Sequence, residues 1–291
     1  METRQFSTAR IQKGMNYVPL RQEPPEEKDP LLITPTNFKF DTLIGRGTYG
    51  CVYKEKYLEK DVAVKSFSLQ KNLNKELSIL KKLKPSSFIP KLYGYYLSHD
   101  KTTQSGGIIM EFVPRSLHDI LQENKRKAIN RKSYYKIARF AARALHSLHQ
   151  QDLIHFDIKP ANLMVCSNNQ VKIIDFGFAQ FGNLSEYEAP EFTDMFQLRK
   201  KADIYSLGVV LWEMASGKSP RNILAGESFT IPKSCPEKFS TLIIRCIDKD
   251  PRARPSAEFI DHYLNSALAE LALNENVEIE ADREHCECLS M

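Results

Sequence analysis

Between Phe38 and Val113, short runs of β-branched and aromatic residues alternate with glycines and charges; beyond Pro114, apolar residues recur at helical spacing. FKFDTLIGRG, CVYKEKYL and DVAVKSF predict consecutive antiparallel strands, because turn residues bound each run and the runs fit a half-buried pleated surface. In NLNKELSILKKLK, at 72–84, Leu73, Leu77, Leu80 and Leu83 fall on one face of a helix that Pro85 ends. KLYGYYL and GGIIMEFV predict two further strands. Helical periodicity then marks 131–149, 203–216, 237–248 and 256–273. The pattern is α+β: a small β-rich lobe with one helix, 37–113, precedes a larger helical lobe, 114–273.

Two flanking segments differ from this core. Residues 1–36 hold five prolines and the charged stretch QEPPEEKDP, with no apolar period, and predict a flexible N-terminal segment. Residues 274–291 carry six acidic groups against one Arg and predict an acidic tail. The first segment is charge-balanced and the second carries −5, so a total of +5 leaves +10 on 37–273. A basic core suits phosphate-bearing ligands or acidic partners, although solvated helix faces such as Lys81, Lys82 and Lys84 account for much of it. Basic residues interleaved with stacking aromatics are absent, so no nucleic-acid surface is expected. The 42% hydrophobic and 26% charged content excludes disorder throughout. No apolar run reaches the roughly 18 residues of a membrane span. METRQFSTAR lacks a secretory apolar stretch, and six cysteines without CxxC spacing suit free thiols, so a cytoplasmic location is expected.

The candidate chemistry begins at Gly45-Arg46-Gly47-Thr48-Tyr49-Gly50-Cys51-Val52, a GxGxxGxV motif between two predicted strands. Glycines let backbone N–H groups approach phosphates, but they also make ordinary hairpins. A dinucleotide-binding unit would open a helix here, whereas CVYKEKYL continues as strand. Val62-Ala63-Val64-Lys65 then ends an apolar strand on a lysine. Further on come His155-Phe156-Asp157-Ile158-Lys159-Pro160-Ala161-Asn162, Ile174-Asp175-Phe176-Gly177 and Ala189-Pro190-Glu191.

With these motifs in this order, the chain resembles the eukaryotic protein kinase superfamily over about 37–270. DIKPAN resembles the serine/threonine class, and KADIYSLGVVLWEM is similar to the Mos-like and tyrosine-kinase-like groups. The resemblance implies the bilobal kinase fold with an ATP cleft between the lobes, ATP and Mg²⁺ as cofactors, and protein substrates. It places Ile44, Gly45, Gly47, Gly50, Val52, Ala63 and Met164 around the nucleotide, with hinge backbone at Glu111 and Val113 and Met110 as gatekeeper. By the same carry-over, Lys65 holds the α- and β-phosphates and pairs with Glu76. Asp175 and Asn162 are the Mg²⁺ ligands, Asp157 accepts the substrate hydroxyl proton, and Lys159 reaches the γ-phosphate. His155 and Asp203 are expected to be structural, Trp212 a core residue, and Glu191 with Arg254 a buried ion pair.

Three departures point toward an active geometry that is built in. Only ten residues separate Lys65 from Glu76, Phe156 replaces the Arg that would bind an activation-loop phosphate, and Asp175 to Glu191 spans only 17 residues. The expected function is Ser/Thr protein phosphorylation without activation-loop phosphorylation. A dual-specificity or tyrosine kinase is the alternative within the enzyme class. A nucleotide-binding scaffold is disfavoured, since such proteins typically lose the equivalents of Lys65, Asp157 or Asp175. The sequence sets no oligomeric state. Cys288, four residues from the end with Met last, suggests prenylation, with Cys286 as a palmitoyl acceptor and membrane association as the consequence. Ser290 stands where that motif usually has an aliphatic residue.

Overall fold

The computed structural model describes residues 29–34, 38–47, 49–98, 105–123, 131–181, 190–220 and 228–288, with backbone alone for 131, 190–196 and 274–288. The N-lobe is a five-stranded antiparallel sheet in the order β1-β2-β3-β5-β4. Its strands are β1 (Thr42–Gly47), β2 (Gly50–Tyr57), β3 (Lys60–Phe67), β4 (Leu92–Leu97) and β5 (Gly106–Glu111). Leu58 and Glu59, both with positive φ (47° and 61°), make the two-residue β2–β3 turn whose twist matches the strands it joins.

Alternation in β3 sorts its residues between two faces. Val62 and Val64 pack with Tyr96 and Ile109 on one face. Phe67 joins Leu73, Leu77 and Ile108 on the other, beneath helix α1 (Gln70–Lys82). Lys65 shares that second face, two residues from Phe67, and so points toward α1. Only Ser68 and Leu69 link β3 to α1, which holds the helix close to the sheet.

The C-lobe contains helices α2 (Leu117–Glu123), α3 (Arg131–His149), α4 (Pro190–Ser216), α5 (Glu237–Cys246) and α6 (Ala257–Cys288). Ala138, Ala141, Ala142 and Leu145 of α3 pack with Leu211 and Trp212 of α4, Leu242 of α5 and Ile260 of α6 in the main core. Small residues along α3 let its neighbours approach closely. Trp212 is a core residue, its indole N–H donating to the Thr230 carbonyl at 3.0 Å. Two small antiparallel pairs, β6 (Leu153–Ile154) with β9 (Gln180–Phe181) and the hairpin β7 (Leu163–Val165) with β8 (Val171–Ile173), frame the loop 155–162. Cys51, Cys166, Cys235 and Cys246 are free thiols, and burial pushes Cys246 up to about 12.

Four features depart from the pattern reading. Residues 29–34, inside the segment read as flexible linker, run beside β4: Ile33 N–H donates to the Tyr95 carbonyl and Tyr95 N–H to that of Leu31, each at 2.8 Å. Helix α2 is too short for periodicity to show, although Ser116 and Asp119 cap it reciprocally (2.9 and 3.2 Å). Helix α4 begins at Pro190 rather than 203, a proline suiting the first turn where no N–H partner is needed. Helix α6 continues to Cys288, through most of the acidic segment. Among the described residues, no helix is long and apolar enough to cross a membrane.

Candidate active site between the lobes

Lys65 is the centre of the cleft. Its ammonium lies 2.6 Å from Glu76 Oε2 and 2.7 Å from Asp175 Oδ1, so one cation serves two carboxylates. Burial opposes the Lys65 charge, but Glu76 and Asp175 outweigh it and raise its pKa. Burial raises the Glu76 carboxyl. For Asp175, burial pulls upward too, yet Lys65 prevails and holds the group below the usual carboxylate range. Asp175 therefore remains ionised, and its carboxylate at the cleft favours a cation.

The catalytic loop follows β6. Asp203 of α4 is fully buried, and its carboxylate accepts the N–H groups of His155 (2.9 Å) and Phe156 (2.8 Å) and meets His149 Nε2 at 3.0 Å. Phe156 and Asp175 both lie in the left-handed region, φ 61° and 66°, at a cost of about 1–2 kcal/mol for a non-glycine residue. The Asp203 hydrogen bonds offset that strain at Phe156. His155 is wholly buried, with Nε2 3.1 Å from the Ile174 carbonyl and its ring edge-on to Phe176 at 5.3 Å. Burial lowers its pKa, which keeps the imidazole neutral.

Asp157 presents its carboxylate beside Lys159, whose Nζ is 2.7 Å from Oδ2. The Asn162 amide nitrogen donates to the Asp157 carbonyl and to Oδ2, each at 2.8 Å. That orientation leaves Oδ1 of Asn162 as the oxygen available to a cation. Among the described residues no cluster of three or more His, Cys, Asp or Glu side chains could hold a metal. Asp175 and Asn162 nevertheless suit Mg²⁺, which typically binds one or two protein oxygens and takes the rest from phosphates and water.

The residues expected around a nucleotide lie on several strands. Ile44, 45% exposed, lies on β1 at a register irregularity between Leu43 and Gly45, and Val52 opposes Lys65 across the β2–β3 ladder. Ala63 opposes Met110, and Val62 opposes Glu111 at the hinge. Val113 is buried, and Met164 bridges to Ser116 from the C-lobe side. Met110 also lines a small cavity with Glu76, Leu80 and Phe176 behind the lysine. Gly45 and Gly47 have room for a Cβ within the protein, whereas at Gly50 a Cβ would collide with the Ser66 carbonyl oxygen.

Several contacts at the site carry no motif. Lys75, next to Glu76, donates to the Gly177 carbonyl at 2.7 Å and links α1 to the loop after Asp175. Tyr49, at the tip of the glycine loop, packs on Phe178 with ring centroids 5.3 Å apart. Lys172 pairs with the hinge carboxylate of Glu111 at 2.7 Å. An exposed lysine on a helix ordinarily reads as solvated, so no sequence signal marks Lys75. Arg254 donates to the carbonyls of Asp248 (2.8 Å) and Lys201 (2.9 Å). The side chains of Glu191, Ser185, Tyr187, Cys286 and Cys288 lie outside those described.

The model of the protein kinase domain matches residues 38–265. The chain belongs to the protein kinase domain family. Among similar curated proteins, this kinase domain is 29% identical to the dual specificity protein kinase shkC of Dictyostelium discoideum, over 90% of this chain and 56% of that protein. It is 28% identical to the serine/threonine-protein kinase STY46 of Arabidopsis thaliana, over 81% of this chain and 45% of that protein. Identity to the Dictyostelium dual specificity protein kinase shkE is 31%, over 83% of this chain and 38% of that protein. The kinase domain thus spans about half or less of these relatives' lengths.

Proposed function

We propose that this kinase domain transfers the γ-phosphate of ATP to Ser and Thr hydroxyls of protein substrates, and that it does so without phosphorylation of its activation segment. The observation that carries the reading is the Lys65–Glu76 pair, formed at 2.6 Å beside an ionised Asp175. Phe156 offers no cation for an activating phosphate, while the short link Ser68–Leu69 and the Lys75–Gly177 contact favour α1 in its inward position.

In the reaction, the substrate oxygen bonds to the γ-phosphorus while the bond to the ADP oxygen breaks. The hydroxyl proton passes to the Asp157 carboxylate. Lys159 and Lys65 neutralise phosphate charge as it develops. Mg²⁺, held through Asp175 and Asn162, would supply further charge neutralisation.

The experiment is radiolabelled ATP transfer by bacterially expressed full chain, with Asp157→Asn alongside and phosphoamino-acid analysis of the product. Label on Ser or Thr that vanishes in Asp157→Asn and survives phosphatase pretreatment supports the reading. Two relatives bear dual-specificity names, which favours a second reading in which Tyr is labelled as well. A folded, ATP-binding protein that transfers nothing would overturn both.

A further inference from the structure

The segment 29–33 does more than lead into the N-lobe. It lies along the free edge of β4 as a short parallel partner, with Leu32 bridged to Tyr95 and the two 2.8 Å backbone bonds through Leu31 and Ile33 on either side. The seat is shaped for it. A Cβ on Gly94 would strike the Ile33 side chain and come within 2.7 Å of the Leu31 carbonyl oxygen, so only glycine admits the strap at this distance. Ile33 then packs onto the cluster of Val62, Val64, Tyr96 and Ile109 on the outer face of the sheet.

Asp29 ties the strap to two elements at once. Its carboxylate accepts the Tyr95 hydroxyl at 2.9 Å and the Leu31 N–H at 3.0 Å, and it pairs with Lys81 in the last turn of α1. Lys81 also lies over the Tyr95 ring, 4.6 Å from its centroid. The Lys81 contact leads the effects that hold the Asp29 carboxyl below its ordinary range, in keeping with an ionised hub. Lys81 is five residues beyond Glu76 on the same helix. A helix anchored at its C-terminal end to the sheet edge has less freedom to pivot, and α1 is the element whose position makes or breaks the Lys65–Glu76 pair.

We propose that Asp29 is a positioning residue for phosphoryl transfer: the strap it anchors locks the C-terminal end of α1 to β4 and so keeps Glu76 on Lys65. This rests on the kinase reading above for its rate consequences, but not for its structural ones. If α1 leaves its inward position in a fraction of molecules, and ATP binds only the inward form, the apparent affinity falls by that fraction. The KM for ATP rises, while kcat at saturating ATP is retained. Simple loss of folded protein would lower kcat and leave KM unchanged.

The test compares the full-length wild type with Asp29→Ala, Asp29→Glu and Gly94→Ala, none of which alters a residue of the ATP site. Amide hydrogen exchange of 70–82 is measured without nucleotide, together with the dissociation constant for ATP with Mg²⁺ and the transfer kinetics. Asp29→Ala and Gly94→Ala are expected to raise the KM and the dissociation constant about fivefold to tenfold. Exchange in α1 quickens in parallel, and Asp29→Glu stays near wild type. Unchanged α1 exchange in both disrupting variants, or faster exchange with unchanged nucleotide affinity, would overturn the proposal. Should the wild type transfer no phosphate, the function above fails, while exchange and nucleotide binding still decide the strap.

Discussion

Lys65 and Glu76 form a buried ion pair at 2.6 Å, with side-chain exposures of 8% and 1%, and Lys65 is shared with the ionised Asp175. Removing the Glu76 charge does not strand the lysine, because Asp175 remains its partner. Glu76→Gln is therefore expected to fold, yet to lose the restraint that aims Lys65 at phosphate. Lys65→Met removes the cation itself and leaves two carboxylates facing each other. Transfer should fall about 10²–10³-fold in Lys65→Met, the loss typical of one preorganised electrostatic donor, and less in Glu76→Gln. Initial rates at saturating ATP check the order; equal activity in Glu76→Gln and wild type would contradict the role given to the pair.

Gly50 tests the glycine loop through sterics alone. Its missing Cβ makes room for the Ser66 carbonyl oxygen across the β2–β3 ladder. Gly50→Ala must push β2 away from β3 where Gly50 opposes Phe67, two residues along the ladder from the Val52–Lys65 pair, so ATP affinity should drop about tenfold or more. Gly47→Ala meets nothing closer than 3.9 Å, and should leave the thermal midpoint nearly unchanged while still weakening ATP. Titration calorimetry and thermal unfolding on the two variants separate the effects.

These relationships were unequally legible in the sequence. Lys65, Asp157, Asn162 and Asp175 stand in motifs that match the protein kinase pattern in order, so the resemblance implied their convergence before any coordinates. Glu76 followed from the same resemblance, because Leu80 and Leu83 come after it as the family's core positions do. The strap was hidden, because Leu31-Leu32-Ile33 is shorter than any periodicity window and follows a charged, proline-rich run. Its seat depends on the absence of a side chain at Gly94, which carries no signal by itself. The basic run at 199–201 fits a surface for acidic partners and a solvated helix face equally well in sequence, yet Lys200 is bound to Asp152 and the His149 carbonyl, and Lys201 to the carbonyls of Arg254 and Pro255. Partners of that kind are distant in sequence and leave no local pattern.

His155 predicts a pH dependence. Burial depresses its folded pKa below the ordinary value of 6.5, so the unfolded chain takes up the proton first as pH falls. Stability is then complete above about pH 6.5 and declines below it, by at most about 1.4 kcal/mol per pH unit from this group. Urea midpoints at pH 7.5 and 5.5 should differ more in wild type than in His155→Phe. The variant itself starts lower, since the Ile174 carbonyl loses its partner. An equal pH response in both proteins would show that folding leaves the proton affinity of His155 unchanged.

Asp203 holds the loop of Asp157 through the backbone N–H groups of His155 and Phe156. The Asp203 carboxylate fixes Phe156 through its backbone N–H, not through its side chain, which is 37% exposed. Asp203→Ala strands buried N–H groups at His155 and Phe156 and should cost about 1–3 kcal/mol for each one left unpaired, lowering the thermal midpoint and abolishing transfer. Phe156→Arg keeps the backbone anchor and changes only the exposed ring, so its stability should remain within about 0.5 kcal/mol of wild type. Its transfer rate in unphosphorylated protein should be unchanged, since the new guanidinium has no phosphate to meet. If Phe156→Arg instead silenced the protein until its activation segment was phosphorylated, the ring would be part of the lock, and the backbone bonds of Asp203 would not suffice to set the loop.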